Sequence, residues 1–213
     1  MAIALRHEQR TTGAARRRKA AELRVVSSGS ILFRGNWLPP SDCEHLISLH
    51  KRFWNPKTGQ SYDGNKLIDV SLLTNSAKVE LYLWELAQKV RKRIQNFFGV
   101  NELFIESLFL VALVEGGFHH PHADNERYVR KSWMPNHTPH RDYSTILYLN
   151  SDFRGGDLCF AQRKICISPT RGSLVAFPSN GDFLHSVRRV TSGIRYSMPI
   201  WFTKNRRFAV WEQ

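Results

Sequence analysis

Three histidines and an aspartate lie close together in the segment FHHPHADNERY, residues 118–128. His122 and Asp124 are two positions apart, and side chains at positions i and i+2 of a strand point to the same face. An imidazole and a carboxylate placed in this way can bind one metal ion. A His-x-Asp pair also arises often by chance at a polar strand end, so the pair alone does not separate a metal site from an exposed loop.

His185 is the candidate for a third ligand, because it lies inside the alternating apolar run at residues 182–187. A histidine in such a run needs partners for its ring nitrogens. Two histidines and one carboxylate on one face of an octahedron leave positions open for a chelating co-substrate and for oxygen. That is the donor set of non-haem Fe(II) oxygenases, and zinc is the alternative metal. The sequence therefore predicts a centre built from His122, Asp124 and His185.

A candidate anion-binding arginine follows on the next predicted strand. Residues 191–193 (TSG) suit a three-residue hairpin loop whose last residue adopts the left-handed conformation. In that register Arg189 pairs with Arg195, and Arg195 shares a sheet face with His185. Arginine suits bidentate recognition of a carboxylate, and Ser197 on the same face adds a hydroxyl donor.

Two helices and several strands must position these residues. A capping box formed by Ser41 and Glu44, followed by apolar residues at helical spacing, predicts the first helix. A second apolar stripe begins near Ser76 and stops at Gly99, which suits a left-handed C-terminal cap. Helices followed by short strands with sharp turns favour an α+β, mainly β class and a jelly roll or sandwich. The predicted strands are 107–114, 143–150, 158–161, 173–177, 183–190 and 194–202.

Length and charge bound the domain organisation. With 213 residues and 42% apolar content, the chain suits one globular domain. Lysine and arginine exceed aspartate and glutamate by 13, which is compatible with an anionic partner such as nucleic acid or with a basic tail. Residues 1–30 contain the run RRRK at 16–19 and few aromatics, which predicts a mobile basic arm before a single domain at 31–213.

The cysteines and the apolar segments bear on location. Cys43, Cys159 and Cys166 are too few and too scattered for a disulfide framework or a zinc cluster, and an odd number is typical of a reducing compartment. The beginning of the chain lacks a continuous apolar h-region, and no later run approaches the roughly 20 apolar residues of a membrane helix. We therefore expect a cytoplasmic protein that does not insert into a membrane. The oligomeric state is not indicated by the sequence.

Six segments resemble, in order and spacing, the catalytic domain of Fe(II)/2-oxoglutarate-dependent prolyl hydroxylases. They are HADN at 122–125, RDYSTILYLN at 141–150, FRGGDLCF at 153–160, GSLVAFPS at 172–179, LHSV at 184–187 and GIRYSMPIWFT at 193–203. The likeness covers roughly residues 105–205, which we expect to form the β core. HADN and RDYS resemble most the prolyl 3-hydroxylase, or leprecan-type, branch.

The resemblance implies a double-stranded β-helix with the N-terminal helices packed on its outer sheet. It implies that His122, Asp124 and His185 bind Fe(II). Arg195 would bind the far carboxylate of 2-oxoglutarate, and the hydroxyl of Tyr148 would join that contact. The implied activity is hydroxylation of an unactivated C–H bond in a prolyl or related amino-acid substrate, either free or peptide-bound. O2 would be the oxidant, succinate and CO2 would be released, and ascorbate is a candidate reductant.

Two departures from the family leave alternatives open. Leu113 stands where many prolyl 4-hydroxylases carry a tyrosine about nine residues before the first ligand. Animal leprecans work in the secretory pathway, whereas a signal peptide and a retention tail are not evident here, so the collagen substrate does not transfer. Oxidative nucleic-acid demethylation suits the positive charge, but the sequence after Arg195 lacks the second strand arginine expected of repair dioxygenases. A non-catalytic jelly-roll binding protein is the remaining alternative.

Residues 126–140 (ERYVRKSWMPNHTPH) show little periodicity and exceed a tight turn, which is typical of a binding loop or lid. We expect this segment to cover the mouth of the site. Arg127, Arg130 and Trp133 are the candidates for substrate contact, since a basic and aromatic lid suits a carboxylate-bearing amino acid or an acidic peptide. The other histidines of this region are interpreted as loop residues or as supports of the ligands. They are His119, His120, His137 and His140.

Overall fold

A computed structural model describes residues 30–56, 60–62, 64–70 and 76–210. The predicted basic arm, except for Ser30, lies outside the described residues. The helices are α1 (Pro40–Phe53) and α2 (Ala77–Phe98), with single 3-10 turns at Ala161–Arg163, Gly181–Phe183 and Arg206–Phe208. The strands are β1 (Leu32–Arg34), β2 (Gln60–Tyr62), β3 (Asn65–Asp69), β4 (Phe104–Leu113), β5 (His119–His122), β6 (Glu126–Val129), β7 (Ser132–Pro135), β8 (Tyr143–Tyr148), β9 (Arg154–Gly155), β10 (Leu158–Phe160), β11 (Ile165–Ile167), β12 (Leu174–Pro178), β13 (His185–Val187), β14 (Val190–Ser192) and β15 (Arg195–Thr203).

The strands form two main antiparallel sheets. The larger has seven strands in the order β1-β12-β8-β15-β4-β3-β2, and the smaller has four in the order β11-β10-β13-β5. Two short pairs, β14 with β9 and β6 with β7, complete the arrangement. From β4 onward the chain alternates between the two main sheets, with β4, β8, β12 and β15 in the larger and β5, β10, β11 and β13 in the smaller. This is the pattern of a double-stranded β-helix, so the predicted mainly β fold class is confirmed.

The seven-stranded sheet is buried on both faces. Leu147 and Tyr148 are adjacent on β8 and both are fully buried, yet they belong to different apolar clusters, because neighbouring strand residues point to opposite faces. Leu147 packs with the apolar faces of α1 and α2. Tyr148 packs with residues of the four-stranded sheet, such as Leu158 and Val187. The candidate site lies on this second face, between the two sheets.

The two helices begin differently from each other. The predicted capping box at Ser41 is wrong: α1 begins one residue earlier, with Pro39 as its N-cap and no side-chain cap bond. Pro40 suits the first turn because the N–H that it lacks would have no helical partner there. The prediction for α2 is confirmed, since Ser76 is its N-cap and Gly99 ends it in the left-handed conformation at φ 67°.

The predicted hairpin at residues 191–193 is wrong. β14 pairs with β9, whereas β15 pairs with β4 and β8, so the chain changes sheets between them. Arg189 therefore does not pair with Arg195. Gly193 has φ 80°, which permits a crossing between sheets as readily as a hairpin, and local turn chemistry does not identify the partner strand. The run predicted at 183–190 is likewise divided into a 3-10 turn, β13 and β14.

Two of the three cysteines are joined. Cys159 and Cys166 form a disulfide between directly opposed positions of β10 and β11, while Cys43 is a buried free thiol. The prediction that all three cysteines are scattered missed this pair. The turn at Ala161–Arg163 reverses the chain, so β10 and β11 bring the two cysteines side by side. Among the described helices, none combines the length and apolar character needed to cross a bilayer.

Candidate metal centre and co-substrate pocket

The three predicted ligands meet at one point between the sheets. His122 ends β5 and His185 begins β13, and the two residues are directly paired in the four-stranded sheet. Nε2 of each imidazole lies 3.7 Å from an Asp124 carboxylate oxygen. All of the ligand atoms lie within 4.8 Å of one another. The three donor atoms are thus close enough to one another to hold one shared metal ion.

Both imidazoles are oriented by their own backbone. Nδ1 of His122 donates to the carbonyl of His120 at 2.8 Å, and Nδ1 of His185 donates to the carbonyl of Phe183 at 3.0 Å. Because a carbonyl only accepts, each bond places the proton on Nδ1 and leaves Nε2 as the metal donor. Burial lowers the pKa of His185 to about 4, so this ring is neutral near pH 7 and free to bind a cation.

The Asp124 carboxylate is held in place by hydroxyl groups. Ser144 donates to Oδ2 at 2.5 Å and also lies 2.8 Å from the hydroxyl of Ser179. Burial by itself would raise the pKa of Asp124. Electrostatic attraction to the His185 and His122 rings in their protonated forms, together with the Ser144 hydrogen bond, outweighs burial, and the pKa is lowered. Asp124 is therefore an oriented, ionised oxygen donor. Ser144 was not among the predicted site residues. Its position in the RDYS segment is the one sequence signal that could have identified it.

A second polar group in the same interior suits a carboxylate ligand. Arg195 is 2% exposed, and its Nη1 donates to Ser197 at 3.2 Å. Its guanidinium carbon lies 4.9 Å from the ring centre of Tyr148. The Arg195 Nε and the Tyr148 hydroxyl are both buried without a hydrogen-bond partner, and no described carboxylate forms an ion pair with Arg195. A buried cation without a counter-charge costs several kcal/mol, so the pocket fits an anionic ligand.

Burial also fixes the protonation of the hydroxyl beside Arg195. It raises the pKa of Tyr148, which keeps the phenol protonated and able to donate a hydrogen bond. Ser197 and Tyr148 are directly paired between β15 and β8. The structure thus brings together all three residues predicted for the co-substrate.

One cavity of about 630 Å³ joins the metal ligands to Arg195. Its size is that of a small-molecule pocket. Phe109 and Trp201 form part of its wall, with their ring centres 5.8 Å apart. Arg141 lies 4.2 Å over the Trp201 ring and pairs with Glu106 at 3.0 Å, so its charge is compensated at the wall. The cavity therefore offers an aromatic surface beside the metal centre.

His119 and Asn65 form a polar pair that the sequence reasoning did not find. Nε2 of His119 donates to Oδ1 of the fully buried Asn65 at 2.8 Å. Burial, followed by the charge of Arg195, lowers the pKa of His119 to about 3 and keeps the ring neutral. Asn65, Leu113 and Arg195 occupy one lateral row across β3, β4 and β15. No local signal marked Asn65, because only the sheet register brings it near Arg195.

The other histidines of this region have separate surroundings. His120 lies on β5 and His137 follows β7, and both line the cavity. His140 instead contacts Glu106 at 2.9 Å and stacks on Phe208 with ring centres 3.9 Å apart.

The predicted lid is a regular hairpin. β6 and β7 are joined at Arg130 and Lys131, which have φ 50° and 67°, the left-handed pair typical of a two-residue hairpin turn. Of the three substrate candidates, only Arg127 lines the cavity. Arg130 lies in the turn, and Trp133 packs on Gly181, where an added Cβ would come within 2.3 Å of its ring. Charge and aromatic content do not indicate which face of a strand points inward, and substrate contact by Arg130 or Trp133 stays a prediction.

Comparison with known proteins agrees with this geometry. Residues 108–203 match the family model described as the 2OG-Fe(II) oxygenase superfamily. Prolyl 3-hydroxylase 2 of Gallus gallus is 31% identical over 139 residues, which cover 56% of this chain and 20% of that protein. Prolyl 3-hydroxylase 3 of Mus musculus is 36% identical over 140 residues, covering 57% and 19%. The chain thus spans about a fifth of the length of these curated relatives.

Solved structures share the fold. The viral collagen prolyl hydroxylase vCPH from Paramecium Bursaria Chlorella virus-1, in complex with 2OG, aligns with a TM-score of 0.64 at 17% identity and covers 85% of this chain and 99% of that one. A Trichoplax adhaerens prolyl hydroxylase, in complex with a hypoxia inducible factor oxygen degradation domain peptide fragment, aligns with a TM-score of 0.64 at 16% identity, covering 96% and 98%. Over residues 108–203 the chain is therefore similar to the 2OG-Fe(II) oxygenase superfamily, and its fold is shared with solved prolyl hydroxylases.

Proposed function

We propose that the protein is an Fe(II)- and 2-oxoglutarate-dependent dioxygenase that hydroxylates an unactivated C–H bond of a prolyl or related amino-acid residue. One observation carries this proposal: His122, Asp124 and His185 converge in the same cavity as the buried, uncompensated Arg195. The names of the curated relatives, which are prolyl 3-hydroxylases, support the substrate class.

The metal would be held by Nε2 of His122, Nε2 of His185 and the carboxylate of Asp124. Bound Fe(II) would supply the oxidising power by activating O2 as 2-oxoglutarate is converted to succinate and CO2. The chain contributes a neutral His185 and an ionised Asp124, the two protonation states that metal binding requires. Ser144 fixes the direction of the carboxylate by its hydrogen bond to Oδ2.

The co-substrate would be anchored at its far end by Arg195. The guanidinium offers an unpartnered Nε, and the protonated Tyr148 hydroxyl offers a second donor without a partner. Ser197 orients the guanidinium by accepting from Nη1. A carboxylate bound here would compensate the buried charge, while the surrounding apolar side chains exclude water from the pocket.

The outer part of the cavity would hold the substrate. Trp201 and Phe109, whose rings meet edge to face, provide an apolar wall suited to a pyrrolidine ring or a similar aliphatic ring. Arg127 brings a positive charge to the same cavity, which suits an acidic side chain or a carboxylate on the substrate. The Trichoplax neighbour was solved with a peptide fragment, so peptide-borne proline is the first substrate to test.

A substrate panel tests the proposal. Purified protein with Fe(II), 2-oxoglutarate and ascorbate would be offered proline, pipecolate, prolyl peptides and methylated oligonucleotides, with succinate measured and products weighed by mass spectrometry. We expect succinate formation together with a gain of one oxygen on a prolyl or related amino-acid substrate, and neither with His185→Ala.

Two other outcomes would each contradict the proposal. Turnover of methylated oligonucleotides alone would assign nucleic-acid demethylation, which the net charge of +13 favours. The absence of any binding of metal or 2-oxoglutarate would indicate a jelly-roll binding protein.

A further inference from the structure

The segment that leaves the β6–β7 hairpin is bonded to the backbone of a metal ligand. The hydroxyl of Thr138 donates to the carbonyl of Asp124 at 2.8 Å, and Nδ2 of Asn136 donates to the same oxygen at 3.2 Å. Oδ1 of Asn136 accepts from the backbone N–H of Thr138 at 2.7 Å, which holds the two donors together. The backbone of Asp124 is therefore held on its carbonyl side by the chain at the end of the hairpin, while its N–H donates to the carbonyl of Ser179 at 2.9 Å.

The body of the same hairpin contacts the support of a second ligand. Oε2 of Glu126 accepts from the backbone N–H of Gly181 at 2.6 Å, and the Trp133 ring packs on the Cα of Gly181 so closely that no Cβ would fit there. Gly181 begins the 3-10 turn that ends at Phe183, whose carbonyl accepts from Nδ1 of His185. The hairpin thus contacts the 3-10 turn whose last residue orients the His185 ring.

Among the described strands, the hairpin has no partner in the main sheets. β6 and β7 pair only with each other, and neither is part of the two main sheets. An isolated two-stranded hairpin is marginally stable in water, so its position depends on the contacts at Asp124 and Gly181. Both contact points support residues that bind the ion.

We infer that the β6–β7 hairpin positions two of the three metal ligands, with Thr138, Asn136 and Trp133 as positioning residues. The inference rests on the proposed metal site and extends it from the ligands to their outer support. Because coupling between two sites is reciprocal, metal binding orders the hairpin, and order in the hairpin strengthens metal binding. A substrate held by Arg127 on this hairpin would therefore also act on the metal centre.

The first test is the affinity for Mn(II), a redox-stable substitute for Fe(II), measured by calorimetry without substrate or turnover. Thr138→Val keeps the side-chain shape and removes the donor to Asp124. We expect it to weaken Mn(II) binding about tenfold, the lower end of the effect of losing an outer-shell partner. Thr203→Val is the matched control, since Thr203 is buried on β15 and its hydroxyl accepts from the Asn205 N–H at 3.1 Å. Its affinity for Mn(II) should be unchanged.

The second test uses the unaltered protein, so it does not depend on whether a variant folds. Mn(II) should slow amide hydrogen exchange across residues 126–135, and Thr138→Val should lose much of this protection. Equal Mn(II) affinity in Thr138→Val and the unaltered protein, or hairpin exchange that Mn(II) leaves unchanged, would overturn the inference while the metal site stands. Failure of the unaltered protein to bind Mn(II) would overturn the proposed function itself.

Discussion

Replacing Arg195 by methionine tests the co-substrate pocket with effects of opposite sign on binding and on stability. Methionine keeps the apolar length of the side chain and removes the guanidinium, which is 2% exposed and without a counter-charge. Hydrogen bonds to charged groups contribute about 1.5–3 kcal/mol each. Loss of a two-bond contact to a carboxylate should cost at least about 3 kcal/mol. Since 1.4 kcal/mol is a factor of ten, the requirement for 2-oxoglutarate should rise on the order of 100-fold.

The stability of the same variant should not fall in the absence of 2-oxoglutarate. A buried cation without a partner destabilises the free protein, so removing it should leave the melting temperature unchanged or higher. Co-substrate at 100 times its Kd should stabilise the unaltered protein by about 2.7 kcal/mol, and the variant should not respond at the same concentration. Succinate formation against 2-oxoglutarate concentration and thermal unfolding measure the two effects.

The control for this variant is Arg188→Met, because Arg188 is an exposed arginine 3.8 Å from Asp157. It should retain the 2-oxoglutarate requirement of the unaltered protein. An unchanged requirement in Arg195→Met would refute the assignment of Arg195. A large loss of stability without co-substrate would also refute the reasoning, since it would mean that the guanidinium already has a stabilising partner.

Three further variants test the metal centre and its surroundings. His185→Ala should abolish Mn(II) binding in calorimetry while the circular dichroism spectrum is retained, and undiminished binding would remove His185 from the site. Ser144→Ala should weaken Mn(II) binding about tenfold, because the Asp124 carboxylate loses the hydroxyl that directs it, and an unchanged Kd would contradict that role. Glu106→Gln should lower the free energy of unfolding at pH 7 by about 2 kcal/mol, since Glu106 pairs with Arg141. The pKa of Glu106 is lowered, because Arg141 and nearby donors outweigh its burial, so this stability is present above the unfolded pKa and is lost as the pH falls through the folded pKa. Urea unfolding at pH 7 and in acid should therefore show the difference between variant and unaltered protein shrinking in acid, and a constant difference would contradict the ionic role.

The metal ligands could be predicted because the signals that identify them lie within short segments of the sequence. His122 and Asp124 are separated by the strand repeat of two, and His185 is a polar residue in an apolar strand. The helix α2 could be predicted for the same reason, because its apolar stripe and its terminal Gly99 are both local signals.

The route to Arg195 shows what local patterns do not determine. A hairpin at residues 191–193 would place Arg195 beside His185 in one sheet, yet the two residues come from different sheets that face each other. Arg195 lies in the pocket because β15 pairs with β4 and β8. This pairing joins residues that are distant in the sequence, and it depends on the packing of both faces of the sheet. The same limit explains why Asn65 was missed, since it reaches the site only through its register with Leu113.

The direction of the side chains in the hairpin could likewise not be predicted from the sequence. Arg127 and Trp133 both stand in a segment without clear periodicity, but Arg127 faces the cavity and Trp133 covers Gly181. Only the register of β6 against β7 and the absent side chain at Gly181 decide between these faces.

A crystal structure of the protein with Mn(II) and 2-oxoglutarate tests the central claim most directly, because anomalous scattering locates the metal independently of the surrounding atoms. We expect one manganese ion bound by His122, Asp124 and His185, with the far carboxylate of 2-oxoglutarate on Arg195 and the Tyr148 hydroxyl. Manganese bound elsewhere, or a co-substrate carboxylate that does not contact Arg195, would contradict it.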